Sequence, residues 1–123
     1  MKFPLRYLAT GILSFLAVRI LEELARGLQD EIRRTEVYSI NGFSHVFFGI
    51  GLVSAVLFLR PKSSTTLVML VVLIGGIVWE LHEGLWLRGE PLDSIEDVML
   101  ALLSAYAFLC LERRDNAAKT RLP

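Results

Sequence analysis

"LVMLVVLIGGIVWELHEGLWLRGEPLDSIEDVML", residues 67–100, runs apolar for its first dozen positions and then gathers Glu80, Glu83, Glu90, Asp93, Glu96 and Asp97, with His82, around one short break. A membrane-crossing helix needs roughly 20 predominantly apolar residues to span about 30 Å of hydrocarbon. Leu67 to Leu87 meets that length, and Leu92 to Leu111 supplies a second run of the same kind. "RGEPLDS" between them is a tight connection, so the two helices are expected to be antiparallel neighbours.

Working outward, Leu5 to Leu24 and Phe43 to Leu59 are two more such runs. The chain has 123 residues, 54% of them hydrophobic, and a mean hydropathy of +0.53. That is too apolar for an ordinary soluble domain of this length. The expected fold is all-α: a polytopic membrane protein with a four-transmembrane-helix bundle in a single domain over 1–123. The spans are expected at about 5–24, 43–59, 67–87 and 92–111, with a polar helical extension or loop over 25–42 and a tail over 112–123. Lys2 and Arg6 ahead of an apolar run resemble a secretory signal, but Arg19, Glu22 and Glu23 follow instead of a small-residue cleavage site, so a retained first span is expected.

Charge sets the expected orientation. Thirteen basic and thirteen acidic residues balance, which gives no field for nucleic acid. Their placement is uneven: Lys2, Arg6, Arg60, Lys62, Arg113, Arg114, Lys119 and Arg121 fall at one set of span ends, with only Glu112 and Asp115 beside them. By the positive-inside rule both termini are cytoplasmic. "RPKSS", residues 60–64, is a breaker whose serines can cap the third helix. Glu22/Arg26 and Asp30/Arg34 are spaced four apart, which supports helix beyond the first span. Cys110 stands alone, so no intrachain disulfide forms, and its expected role is packing.

This topology brings Arg19, Glu22, Glu23, His45, Glu80, Glu83, Asp93, Glu96 and Asp97 to one depth, at the non-cytoplasmic ends of the helices. Residues three or four apart share a helix face. Glu80 and Glu83 align with Gly76, Asp97 with Ala101, Ser104 and Ala105, and His45 with Gly49 and Leu52. Ionisable groups at membrane depth cost a few kcal/mol each on insertion scales and usually face the bundle interior. His45, Glu80, Glu83 and Asp97 are therefore the expected ligands of a divalent metal ion, with Asp93, four residues before Asp97, shared between this role and helix capping. Carboxylates with one imidazole suit Mn²⁺, Fe²⁺ or Zn²⁺, and carboxylates alone suit Mg²⁺ or Ca²⁺. Arg19 and Arg88 are the expected anion-binding or ion-pair partners.

Plainer roles compete with this one. Asp93 followed by Glu96 reads as an N-cap and capping box, and Glu80 and Glu83 could pair with Arg19 or Arg88. Arg19 and Arg26 are natural partners for Glu22 and Glu23. "INGFS", residues 40–44, reads as a turn and cap before His45, and His82 as interfacial. Trp79, Trp86, Phe43, Phe47 and Tyr38 read as an aromatic belt. "HEGLW" places Trp86 where H-E-x-x-H needs its second histidine, so a zinc-protease helix is excluded. No Glu-x-x-His pair matches the di-iron bundles.

"FSHVFFGIGL", "VWELHE" and "DSIEDVMLALLSA" in this order resemble the YjdF-type family of small prokaryotic membrane proteins, and more faintly the VanZ-like proteins. The likeness covers residues 43–105. It implies a site at His45, at Trp79, Glu80 and Glu83, and at Asp93 and Asp97, and it names no reaction. The chain is shorter than typical members, with fewer spans, which leaves both a single copy and a homo-oligomer open.

The leading expectation is divalent-metal binding in a multi-pass protein of a prokaryotic plasma membrane. Its enzymatic extension is hydrolysis of a lipid-linked ester or phosphoester. The alternatives are a proton- or cation-handling component, with His45 as relay, and an assembly or scaffold subunit. No polar path toward the cytoplasm is expected for the proton reading, because Leu67 to Gly75 is uncharged.

Overall fold

The structure is a computed structural model. It describes residues 4–28, 34–87 and 91–122, with side chains described for 4–24, 42–82 and 95–122. Four helices follow one another, α1 Leu5–Leu28, α2 Arg34–Leu59, α3 Thr65–Leu87 and α4 Pro91–Arg121. Among the described residues there is no strand, and the all-α expectation holds.

The helix limits differ from the expected spans in three places. Helix α2 runs through Gly42 and Ser44 where a turn was expected; a Cβ on Gly42 would stand 3.4 Å from the tip of Leu100, an ordinary packing contact with α4. Helix α4 starts at Pro91, where the missing N–H is no loss. Asp93 therefore lies inside the first turn and not at the N-cap. Helix α4 also continues ten residues past Leu111, because "LERRDNAAKTR" is helix-compatible and nothing in it breaks the backbone pattern.

Among the described residues, two helices carry stretches long and apolar enough to cross a bilayer, Gly42–Leu59 in α2 and Thr65–His82 in α3. The apolar run of α1 is bounded by Arg6 and by Arg19, Glu22 and Glu23, and that of α4 by Glu96, Asp97 and Glu112. Those charges shorten both.

Helix α2 is the hub. It packs on α1, α3 and α4, while α3 also packs on α4. The inward stripes follow the helical repeat: His45, Gly49, Val53 and Leu57 on α2; Val68, Val72 and Gly76 on α3; Asp97, Ala101, Ala105 and Leu109 on α4, all buried. The apolar members form one core. Three of these stripes thus start from apolar layers and run upward toward His45, Glu80 and Asp97.

The opposite end is tied by polar contacts. Ser64 caps α3, its Oγ accepting from Leu67 N–H at 3.2 Å, as the "RPKSS" reading anticipated. Arg113 donates to Thr65 Oγ1 and to the Ser63 carbonyl at 2.9 Å, fixing α4 to the α2–α3 turn. Buried Tyr7 donates from its hydroxyl to Glu112 at 2.9 Å and accepts from Arg6 at 2.7 Å. Arg6 also reaches Glu112 at 2.9 Å and Asn116 at 2.8 Å. These side chains link α1 to α4, two helices whose backbones do not approach one another among the described residues.

Tyr7→Phe removes one hydroxyl from this cluster and leaves the ring packed. We expect a loss of about 1 kcal/mol, read as a lower melting temperature in detergent. An unchanged melting temperature would show that the cluster adds nothing to the closure of the bundle.

Candidate metal centre

His45 comes from the first half of α2, Glu80 from the last two turns of α3 and Asp97 from the second turn of α4. Their side chains converge. His45 Nε2 lies 3.1 Å from Asp97 Oδ2 and 3.6 Å from Glu80 Oε1. One ligand atom from each residue lies within 4.8 Å of the others. Oxygen and nitrogen ligands at about 2.1 Å from a cation stand up to about 4 Å apart, so a metal requires only side-chain adjustment.

The site is withdrawn from solvent. His45 is 3% exposed and Asp97 8%, and the Glu80 side chain is 12% exposed. Two carboxylates held this close inside a low-dielectric region repel each other, and a cation between them would offset that. An imidazole plus two carboxylates is a ligand set with open positions, the form a catalytic or substrate-binding metal takes more often than a purely structural one.

Small residues let the three side chains meet. A Cβ at Gly49 would stand 2.3 Å from the Ala101 carbonyl oxygen and 2.7 Å from Ser104 Oγ. Helix α4 therefore lies directly against the backbone of α2 one turn below His45. Ser104 seals this contact, its hydroxyl donating to the Val46 carbonyl at 3.1 Å and alternatively to Ala101 at 3.0 Å. On the other side Trp79 packs on Phe48, ring centroids 5.1 Å apart, and Phe48 meets Phe15 edge-on at 6.3 Å. These rings form an apolar contact running from α3 across α2 to α1.

Of the five expected ligands, the structure brings together His45, Glu80 and Asp97. The side chains of Glu83 and Asp93, and all of Arg88, lie outside the described residues. Arg19 is 62% exposed and reaches Glu22 at 3.0 Å and Glu23 at 3.6 Å. It thus makes the own-helix pairs weighed for those two glutamates. His82 is exposed, with its ring 6.4 Å from that of Trp79, in keeping with an interfacial position. Trp79 itself is half-buried against Phe48, whereas Phe43 is exposed like a belt residue. Tyr38 and Trp86 lack described side chains.

The part of the site not anticipated from sequence is its seat, Gly49 against Ala101 and Ser104. The signal for it is the four-residue spacing of Gly49 from His45 and of Ala101 from Asp97. Comparison with protein-family models, with curated proteins and with solved structures finds no match to this chain.

Proposed function

We propose that this chain is a multi-pass membrane protein that binds a divalent metal ion through His45, Glu80 and Asp97. The observation that carries the proposal is the approach of three ligand atoms, from three helices, to within 4.8 Å in a region nearly closed to solvent. Glu83 and Asp93, from the same hairpin, complete the proposed ligand set, in line with the YjdF-type pattern.

The membrane reading draws support from exposure as much as from hydropathy. Only 17% of Thr65–His82 is buried within the protein, although its mean hydropathy is 1.8. Leu70, Ile74, Val78 and Leu81 of α3, Leu13, Leu16 and Ile20 of α1, and Leu103 of α4 are all at least 49% exposed. Apolar surface so extensive needs a non-aqueous surround. With α1 and α4 as the remaining spans, the basic ends, including Arg6, Arg60, Lys62, Arg113 and Arg121, face the cytoplasm. The metal site then lies near the outer surface of a prokaryotic plasma membrane.

The proposed chemistry is hydrolysis of a lipid-linked ester or phosphoester. A divalent cation would supply Lewis acidity and a more acidic water. His45, Glu80 and Asp97, with Glu83 and Asp93, would hold the cation. The proton-handling alternative draws on the 3.1 Å His45–Asp97 approach; the core below is mainly apolar, with Val53, Leu57, Val68, Val72 and Leu109 and with Ser14 and Ser54 as buried polar members.

Elemental analysis of protein purified without chelator tests the reading, with wild type beside Glu80→Gln and Asp97→Asn. Wild type is expected to carry stoichiometric metal and each variant to lose most of it. Metal-free wild type would sink the proposal, and retention by both variants would place the metal elsewhere. Chelation should also lower the melting temperature, because a ligand at 100 times its Kd contributes about 2.7 kcal/mol to the folded state. Identical melting curves with and without chelator would count against a bound ion.

A further inference from the structure

We infer that the groove between α1 and α2 holds an acyl chain of an anionic phospholipid, with the lipid head group at Arg60, Lys62 and Arg113. This rests on the membrane reading above and not on the metal. The groove has a volume of 270 Å³, with Leu8, Gly11, Ile12 and Phe15 on one wall and Ala55 and Leu59 on the other. Its floor is the contact of Gly11 with α2, where a Cβ on the glycine would be 3.6 Å from Ser54 Cβ and 3.9 Å from the Gly51 carbonyl oxygen. Its side is open, with Leu8, Ile12, Phe15 and Leu59 36% to 73% exposed.

The groove runs in the direction that a lipid chain takes. Tyr7 and Leu59 close its shallow end, where α1 begins and α2 stops. Phe15 is eight residues beyond Tyr7, about 12 Å along the helix axis, and half of the hydrocarbon layer is about 15 Å. An acyl chain that enters beside the end of α2 therefore lies between the two helices through most of its leaflet.

Charge beside the shallow end selects the head group. Arg60 directly follows the wall residue Leu59, and its backbone N–H donates to the Val56 carbonyl at 2.7 Å, which carries the last helical turn on to it. Lys62 lies two residues further, and both are exposed. Arg113 is drawn to the same turn by two uncharged acceptors, Thr65 Oγ1 and the Ser63 carbonyl. Among the described residues none of these three cations is ion-paired. The acids of this end are Glu112, already held by Arg6 and Tyr7, and Asp115, beside Arg114 in sequence. Three cations thus stand where the head group of a chain in the groove would lie. A phosphodiester head without an ammonium of its own compensates them, whereas a choline head brings a charge that they repel. Basic residues at that depth favour anionic lipid by about fivefold each.

Photolabelling of the full-length protein in phosphatidylcholine vesicles tests this, with a minor fraction of lipid bearing a diazirine in its acyl chain. The diazirine is carried on phosphatidylglycerol in one preparation and on phosphatidylcholine in another, and adducts are mapped by mass spectrometry. The phosphatidylglycerol probe is expected to label Leu8, Ile12, Phe15 and Leu59 several-fold more than Leu13 and Leu70, exposed apolar residues outside the groove. It is also expected to label the groove several-fold more than the phosphatidylcholine probe does. Groove labelling should fall about fivefold in Arg60→Gln, further when Lys62→Gln is added, and several-fold in Ile12→Trp, which fills the groove and leaves the cations in place. Helical content and flotation with the vesicles are measured on the same preparations. Equal groove labelling by the two probes, or labelling unchanged in the double charge variant, overturns the head-group assignment. Phosphatidylglycerol adducts spread evenly over the groove, Leu13 and Leu70 overturn the groove, and both results leave the membrane reading standing. Wild type that does not float with the vesicles overturns the membrane reading and this inference together.

Discussion

Gly49→Ala is expected to lower stability by about 1–3 kcal/mol and to weaken metal binding more than tenfold, although it adds a single methyl group and replaces none of the proposed ligands. The added carbon would stand 2.3 Å from the Ala101 carbonyl oxygen, where real contacts do not fall below 3.0 Å. The obstacle is backbone, so no side chain can turn aside and α2 and α4 must separate. A gain of up to about 1 kcal/mol in helix propensity does not offset this. Separation lengthens the 3.1 Å approach of His45 to Asp97, and ligand constellations tolerate only about 0.5 Å of such displacement. Gly75→Ala is the matched control. Its Cβ would meet the tip of Leu52 at 2.6 Å, a flexible side chain that can move, and the expected cost is below about 1.5 kcal/mol. Thermal melting and calorimetric Mn²⁺ titration of the two variants should separate them clearly. Equal behaviour would mean that the α2–α4 approach does not control the site.

His45→Leu should have the largest effect on stability. Leucine fills the imidazole volume, so the change is electrical: the 3.6 Å approach to Glu80 and the 3.1 Å approach to Asp97 are lost, at carboxylates whose side chains are 12% and 11% exposed. Removing one member of a buried charged set costs about 3–5 kcal/mol. Adding Glu80→Gln to His45→Leu removes the repulsion between the two carboxylates and should recover most of the lost melting temperature, while metal binding stays absent. A double variant no more stable than the single one would show that the carboxylates do not strain each other in the folded protein.

Much of this arrangement was readable in the sequence because helices repeat. His45 with Gly49, Asp97 with Ala101 and Ala105, and Glu80 with Gly76 each fall on one face by spacing alone, and those faces turned out to be the inward ones. What spacing does not convey is how close two faces come. Gly49 against the Ala101 carbonyl is a distance between helices, set by the absence of a side chain at one position and a small one at the other. Helix ends were also poorly readable. The turn expected at Gly42 and Ser44 is helix, because glycine and serine, which break helices in water, are tolerated where neighbouring helices enclose them. The N-cap expected at Asp93 gave way to a start at Pro91, which suits the first helical position better. The Tyr7–Glu112 link joins residues 105 positions apart, and no local pattern announces such a pair.

The division of ligands among helices has a consequence for how the protein is made. His45 belongs to the α1–α2 pair, whereas Glu80 and Asp97 belong to the α3–α4 pair, which emerges later from the ribosome. While the second pair is still being inserted, the first carries His45 before Glu80 and Asp97 have arrived. The proposed site is therefore assembled only at the moment the two hairpins dock.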